Sequence, residues 1–132
     1  MKGKKERFTV RSRIASFTHA FRGLTDMLKT EYNAWVHVLA TVLALGLAWW
    51  LKVDRNDLAL VVIAIVMVWT AEAFNTVLEI MADLVTGEQS SNVVRRAKDI
   101  AAGAVLAACI GAVVIGILVL GPHLYQRLNQ AR

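Results

Sequence analysis

Three long apolar runs dominate the chain, and short polar segments separate them. The first run, 32–51, and the third, 100–126, contain no formally charged side chain. The second run, 58–71, reaches spanning length only if the helix continues through Glu72 to about Leu84. Because a helix needs about 20 apolar residues to cross the hydrocarbon core, the pattern predicts an all-α integral membrane protein. The predicted transmembrane helices are 33–51, 58–84 and 97–121.

A different periodicity precedes the first run. Between residues 14 and 28, apolar residues recur every three or four positions, at Ile14, Phe17, Phe21, Leu24 and Leu28. This spacing puts them on one helical face, which predicts an amphipathic surface helix over 11–30. Residues 1–10 are polar and basic, and we expect a disordered tail there. Gly121-Pro122 predicts the end of the third transmembrane helix. All of these elements form one membrane domain over 1–132.

The composition agrees with the membrane prediction. Hydrophobic residues make up 57% of the 132 residues and charged residues 19%, against about 45–50% and 25% in soluble domains. The length leaves no room for a large catalytic domain with its own nucleotide-binding sheet. The single cysteine, Cys109, excludes an intrachain disulfide framework and a Cys-based zinc site.

The positive charge indicates an orientation. With three spans, the N-terminus and the second loop lie on one side, and 11 of the 15 Lys and Arg residues belong to that side. The positive-inside rule then places the N-terminus of this multi-pass protein in the cytoplasm. We interpret the net charge of +5 as a topology signal and as contact with lipid headgroups, not as a nucleic-acid surface.

Acidic residues stand where a membrane helix should be apolar. An ionised residue at mid-helix costs about 2.5–3.5 kcal/mol on insertion, so such groups persist mainly for function. The polar residues of the second span fall at helical spacing on one face: Glu72, Asn75, Thr76, Glu79 and Asp83. We expect this face to point toward a partner helix or water.

More charged groups belong to the predicted cytoplasmic end: Glu31, Glu88, Lys98 and Asp99. Carboxylates gathered at that density need cations between them, and their hard oxygens suit Mg²⁺, which commonly arrives with phosphates. Lys98 would then supply a point charge to phosphate. Glu72 is roughly 10 Å from Glu79 along the helix, too far to share a metal, and its apolar surroundings suit a general base.

The acidic face is equally compatible with two different roles. It could serve as a proton or cation pathway in a small oligomeric transporter, or form structural ion pairs with Arg95, Arg96 or Lys98. His37, Asp26, Asp54 and His123 are interpreted as ordinary interfacial groups. The sequence contains no GxxxxGK[ST] phosphate loop, so any nucleotide must be held by carboxylate-bound metal and scattered side chains.

Two adjacent motifs carry a family resemblance. Residues 72–83 read E-x-x-N-[ST]-x-x-E-x-x-x-D, and residues 97–106 read A-K-D-x-x-[AS]-[AG]-A-V-L. Upstream, residues 16–24 read S-F-x-x-A-F-x-G-L, and an acidic residue, Glu31, precedes the first span. Over about 12–122 the chain resembles the prokaryotic diacylglycerol kinase family.

The resemblance implies a homotrimeric, three-span lipid kinase with a surface helix and active sites shared between neighbouring chains. It would use ATP as co-substrate and Mg²⁺ as cofactor. Glu72 would be the catalytic base that takes the proton of the lipid hydroxyl, and Trp35 would also contact the lipid. Glu31 and Glu79 would bind Mg²⁺, while Asn75 and Asp83 would support the site. The implied ATP-binding residues are Glu31, Glu79, Glu88, Lys98, Asp99, His19 and an N-terminal arginine, Arg13 or Arg11.

The resemblance leaves two lipid substrates open, diacylglycerol and undecaprenol. Residues 31–37 resemble the E-x-N-x-[KR]-x-H stretch of the undecaprenol kinase group, with Trp35 in place of the basic residue. The loop between Glu88 and Lys98 is one residue longer than the family pattern and lacks its Y-H pair.

Overall fold

The fold is taken from a computed structural model of the chain, which describes residues 10–86 and 91–130. These residues form four helices: α1 (Val10–Thr30), α2 (Tyr32–Leu51), α3 (Arg55–Thr86) and α4 (Asn92–Gln130). By length and composition, α2, α3 and α4 can each cross a membrane. The prediction of an all-α fold with three helices long and apolar enough to cross a membrane is confirmed. The predicted tail at 1–10 lies, apart from Val10, outside the described residues.

The three long helices run antiparallel in chain order. α3 and α4 pack together most extensively, α2 packs against both, and α1 contacts α2 and α3. One end of the bundle holds the start of α2, the end of α3 and the start of α4, and we name it the Asn92 end. The opposite end, with the turn between α2 and α3 and the end of α4, is named the Lys52 end.

The helices differ in length, and this determines where the polar residues lie. At 1.5 Å per residue, α2 is roughly 30 Å long and α3 roughly 48 Å. Because the turn at the Lys52 end is short, α3 extends about 18 Å beyond the start of α2 at the Asn92 end. Glu72 lies roughly 25 Å along α3, level with the first turns of α2.

The Lys52 end is built from complementary helix caps. Lys52 adopts the left-handed conformation with φ 55°, which ends α2, and its backbone N–H bonds back to the last turn. Asp54 Oδ1 accepts hydrogen bonds from the backbone N–H groups of Asp57 and Asn56, at 3.0 and 2.8 Å, and so caps α3. These two N–H groups hold the pKa of Asp54 below its ordinary value.

The best-packed apolar cluster also lies at the Lys52 end. Its buried members come from all three long helices: Ala48, Leu51, Val61, Val119 and Leu120. His123 of α4 approaches Asp57 of α3, with Nε2 and Oδ2 3.5 Å apart. Large apolar residues elsewhere on α2, α3 and α4 are exposed, as expected of faces that contact lipid.

The junction between α1 and α2 consists of one residue. Glu31 is the only non-helical residue between them and has an extended backbone, φ −103° and ψ 114°. The predicted apolar face of α1 is exposed in the single chain from Ile14 to Leu24, whereas Leu28 is half-buried and Met27 is buried. That α1 lies along a membrane surface stays a prediction.

The predicted stop at Gly121-Pro122 is wrong, because α4 continues through Pro122 to Gln130. Proline lacks the N–H that would bond the carbonyl of Leu118, but its fixed φ is compatible with a helix. Apolar helices tolerate this loss where other groups compensate. At the next position, His123 Nδ1 lies 3.0 Å from the carbonyl oxygen of Val119, which is a contact within α4 separate from the carbonyl of Leu118. The polar turn between α2 and α3 is also shorter than predicted, because α3 begins at Arg55 and not at residue 58.

Candidate active site

Glu72 is the most deeply buried large side chain among the described residues, with 1% of its surface exposed. It lies on the face of α3 that packs against the other long helices. Its Oε1 atom is buried and has no hydrogen-bond partner within the described ranges. A buried carboxylate oxygen without a partner is costly, so Glu72 Oε1 is a candidate point of ligand contact.

Asn75, Thr76 and Glu79 continue the same face one and two turns farther. Asn75 and Thr76 are buried, and Glu79 is half-buried. Asn75 Nδ2 donates a 2.9 Å hydrogen bond to Glu79 Oε1, while Asn75 Oδ1 is buried without a partner in the described part of the chain. Thr76 Oγ1 donates to the backbone oxygen of Glu72, which is a local helix contact. The Asn75 amide thus orients the Glu79 carboxylate through Nδ2, while its own Oδ1 is left without a partner among the described residues.

Near the end of α3, Asp83 forms an ion pair with Lys98 of α4. The two side chains are 69% and 35% exposed, so the pair contributes little to stability. The sequence left open ion pairs between the acidic face of α3 and Arg95, Arg96 or Lys98, and the Asp83–Lys98 contact is a pair of this kind. Asp99 is exposed beside Lys98 on α4. Lys98 therefore lies at the projecting part of the α3–α4 pair, well beyond Glu72.

The remaining predicted site residues are more dispersed. Glu31 is half-buried at the α1–α2 junction, and its side chain makes no capping hydrogen bond to α2, so its carboxylate is not used by the fold there. Arg13 and His19 are exposed on α1, and Trp35 is exposed on α2. Glu88 lies outside the described residues, and so does the side chain of Arg11.

A metal site is tested by the donors that these residues offer. No group of three or more His, Cys, Asp or Glu side chains within 10–86 and 91–130 is placed to hold a metal ion. Glu79 and the unpartnered Asn75 Oδ1 nevertheless present hard oxygens one turn apart. Mg²⁺ keeps several waters and binds through one or two carboxylates plus substrate phosphates, so this donor set fits it.

His37 is the functional candidate that sequence reasoning missed. The sequence pattern predicts an interfacial group at this position, but His37 is buried against α3, with Nε2 3.5 Å from Glu72 Oε2. The reason is the register of α2 against α3, which brings these two positions level. One signal was available, since an ionisable residue inside a membrane span is a functional candidate by default.

An apolar cavity of about 420 Å³ extends from His37 toward the Lys52 end, between α2, α3 and α4. Its lining is largely aliphatic, down to Val61 and Leu120. The polar atoms of the lining belong mainly to His37, Thr41, Trp69 and Cys109. Trp69 Nε1 donates a 3.0 Å hydrogen bond to Thr41 Oγ1, which links α3 to α2 across the cavity. The cavity thus has its most polar lining on the side of the Glu72–His37 pair.

Comparison with known proteins decides the family. Residues 18–120 match the model of the family described as prokaryotic diacylglycerol kinase. The chain belongs to the prokaryotic diacylglycerol kinase family. The matched region contains α2, α3 and most of α4, and with them Glu72, His37, Asn75, Glu79 and Lys98. Family and fold together indicate a multi-pass membrane protein.

Curated relatives carry two names. A diacylglycerol kinase of Synechocystis is 33% identical over 111 residues, which cover 84% of this chain and 63% of that protein. An undecaprenol kinase of Bacillus subtilis is 29% identical over 94% of this chain and its own whole length. A diacylglycerol kinase of Escherichia coli is 33% identical over 83% of this chain and 89% of its own. These prokaryotic diacylglycerol kinase relatives are phosphotransferases with an alcohol acceptor, and none is named as a transporter.

Proposed function

We propose that this protein is an ATP- and Mg²⁺-dependent lipid kinase that phosphorylates the hydroxyl of a membrane lipid alcohol. The observation that carries the proposal is Glu72, a carboxylate buried in a membrane-length helix with one oxygen lacking a partner among the described residues. Membership of the prokaryotic diacylglycerol kinase family supports the reaction class. A transporter would also account for a buried acid, but no observation beyond that acid favours it.

In this reaction Glu72 acts as the general base. The lipid hydroxyl gives its proton to Glu72 Oε1, and its oxygen forms a bond to the γ-phosphorus of ATP. The bond between the γ-phosphorus and the bridging oxygen breaks, and ADP leaves with the electron pair. A positioned base of this kind typically contributes about 10²–10⁴-fold to the rate.

The charged residues of the Asn92 end would hold the nucleotide. Lys98 lies where it can exchange its exposed partner Asp83 for a phosphate group, because a surface ion pair is weak. Glu79, Asn75 and Glu31 would hold Mg²⁺, which when bound offsets phosphate charge. Glu88, Asp99, His19 and Arg13 or Arg11 would complete the nucleotide contacts, as the family resemblance implies.

The lipid would approach from within the bilayer. The apolar cavity beside His37 and the exposed apolar faces of the helices would give hydrocarbon chains a favourable environment close to His37, which faces Glu72. Trp35, exposed on α2, would contact the lipid near its hydroxyl end. The relatives include both diacylglycerol kinases and an undecaprenol kinase, so both alcohols are candidate substrates.

The family resemblance also supports a homotrimer in the bacterial cytoplasmic membrane, with the Asn92 end on the cytoplasmic side. The excess of Lys and Arg on that side supports this orientation. In a shared site, acids of one chain would be completed by residues of its neighbour.

The test is phosphate transfer from radiolabelled ATP by purified protein in mixed micelles with Mg²⁺. Diacylglycerol and undecaprenol are offered in parallel, and the labelled lipid is separated by chromatography. We expect label in at least one lipid, lost when EDTA removes Mg²⁺. A protein that is folded and binds ATP but labels neither lipid would contradict the proposed function.

A further inference from the structure

His37 and Glu72 form a buried pair between α2 and α3. Their side chains are 10% and 2% exposed, and His37 Nε2 lies 3.5 Å from Glu72 Oε2. This distance is slightly longer than an ordinary N–H···O hydrogen bond of about 2.7–3.2 Å. Catalytic hydrogen bonds are often long before substrate binds and shorten in the reacting complex.

The pair gives the two oxygens of Glu72 different surroundings. Oε2 faces the imidazole, whereas Oε1 is buried without a hydrogen-bond partner among the described residues. His37 Nε2 is likewise buried with no shorter partner in that part of the chain. The fold therefore directs one oxygen toward His37 and leaves the other for a ligand.

The imidazole is itself held in place by its neighbours. The ring of Trp69 packs edge-on against it, with centroids 6.3 Å apart and an angle of 65° between the planes. Trp69 in turn is fixed by its hydrogen bond to Thr41, one turn beyond His37 on α2. A ring fixed in this way can orient the carboxylate that it faces.

We propose that His37 is a positioning residue for Glu72. This inference rests on the proposed function. Neutral His37 donates its Nε2–H to Glu72 Oε2, which orients the carboxylate so that Oε1 receives the proton of the lipid hydroxyl. His37 keeps its own proton throughout, and the transferred proton is carried by Glu72 until it is released to water.

The first test compares three variants in the mixed-micelle assay. His37→Leu removes the donor, and we expect kcat to fall about 10- to 100-fold with an unchanged KM for ATP. His37→Gln keeps an amide N–H at a similar reach, and we expect kcat within about fivefold of wild type. His123→Leu makes the same chemical change at the Lys52 end, and its kcat should stay within about twofold.

The pattern among these variants decides the inference. Wild-type kcat in His37→Leu would refute the positioning role. An equal loss in His37→Gln and His37→Leu would also refute it, because the shared donor would then have no effect. If His37→Leu does not fold, the comparison of His37→Gln with wild type and the measurement below still apply.

A second measurement needs no turnover. The imidazole ¹⁵N resonances of the labelled protein are recorded in micelles, and that of His37 is assigned by its loss in His37→Gln. We expect Glu72→Gln to shift the Nε2 resonance of His37 and to leave that of His123 unchanged. An unshifted His37 resonance would show that the pair does not form. If Glu72→Gln shifts the His37 resonance but the wild-type protein labels neither lipid, the pair is real and the proposed kinase function is wrong.

Discussion

Polar side chains at the Lys52 end have partners, whereas several buried polar atoms toward the Asn92 end have none among the described residues. At the Lys52 end, Asp54 caps α3, His123 approaches Asp57, and the guanidinium of Arg127 lies 5.2 Å from the centroid of Trp50. Toward the Asn92 end, three buried side-chain atoms have no hydrogen-bond partner in the described ranges: His37 Nε2, Glu72 Oε1 and Asn75 Oδ1. Buried polar groups in stable proteins are usually paired, and the unpaired ones lie where we propose the active site.

Packing follows the same division. The buried apolar cluster lies at the Lys52 end, where small and branched side chains of all three long helices meet. An apolar cavity extends from this cluster, whose Val61 and Leu120 line it, to His37. We infer that contacts at the Lys52 end mainly stabilise the fold, and that polar groups toward the Asn92 end mainly bind substrates. Substitutions at the two ends should therefore affect different measurements.

The largest expected effect follows from Glu72→Gln. The amide has almost the same shape as the carboxylate but cannot accept the proton, so we expect kcat to fall by at least about 10²-fold, up to about 10⁴-fold. ATP binding, measured by equilibrium dialysis, should stay within about threefold of wild type. The thermal midpoint should stay close to that of wild type, because glutamine keeps the shape of the side chain and an oxygen that can accept a hydrogen bond from His37. Wild-type turnover in this variant would exclude Glu72 as the base.

An intermediate effect is expected from the exposed ion pair of α3 and α4. Lys98→Met removes a charge that would contact phosphate, and we expect kcat/KM for ATP to fall about 10- to 100-fold. Asp83→Asn removes only the partner of that charge, so we expect a smaller loss of kcat/KM than in Lys98→Met. Steady-state kinetics at varied ATP compare the two variants.

A different result would identify the pair as purely structural. In that case both substitutions would lower the thermal midpoint equally and would leave kcat/KM for ATP unchanged. The Asp83–Lys98 pair would then serve only stability, as the contacts of the Lys52 end do.

The smallest effect is expected at the Lys52 end itself. Asp54→Ala removes the cap of α3, so the thermal midpoint should fall slightly at pH 7 while kcat is unchanged. The pKa of Asp54 is lowered in the folded protein, so its contribution to stability is present above the ordinary value of 3.8 and is lost as pH falls through the folded-state pKa. The difference between wild type and variant should therefore shrink as pH falls below 3.8.

Asn56→Ala provides the matched control. Asn56 donates only its backbone N–H to Asp54, and that group remains after the substitution. Its effect on the thermal midpoint should not depend on pH. A pH-independent difference in Asp54→Ala as well would contradict the role of Asp54 as a cap.

Much of the fold could be predicted from the sequence because lipid imposes strict rules. Backbone groups in the hydrocarbon core must bond within the helix, so a run of about 20 apolar residues predicts a spanning helix. The same regularity puts Glu72, Asn75 and Glu79 on one face. Pro122 shows the limit of a local rule, since its effect on a helix depends on surroundings that the sequence does not give.

The contacts between helices could not be predicted in this way. The burial of His37 depends on how far α2 slides along α3, and the pair of Asp83 and Lys98 depends on how α4 returns along α3. Each is a property of packing between segments distant in sequence. Helical periodicity indicates which residues share a face, but not which neighbour that face meets.

The single extended residue between α1 and α2 has a mechanical consequence. The direction of α1 relative to the bundle depends largely on the two backbone dihedral angles of Glu31. Rotation about ψ of Glu31 moves α1 and the Glu31 carboxylate together relative to α2, whereas rotation about φ moves α1 alone. The tilt of α1 and the direction of the Glu31 carboxylate therefore change together when ψ of Glu31 rotates.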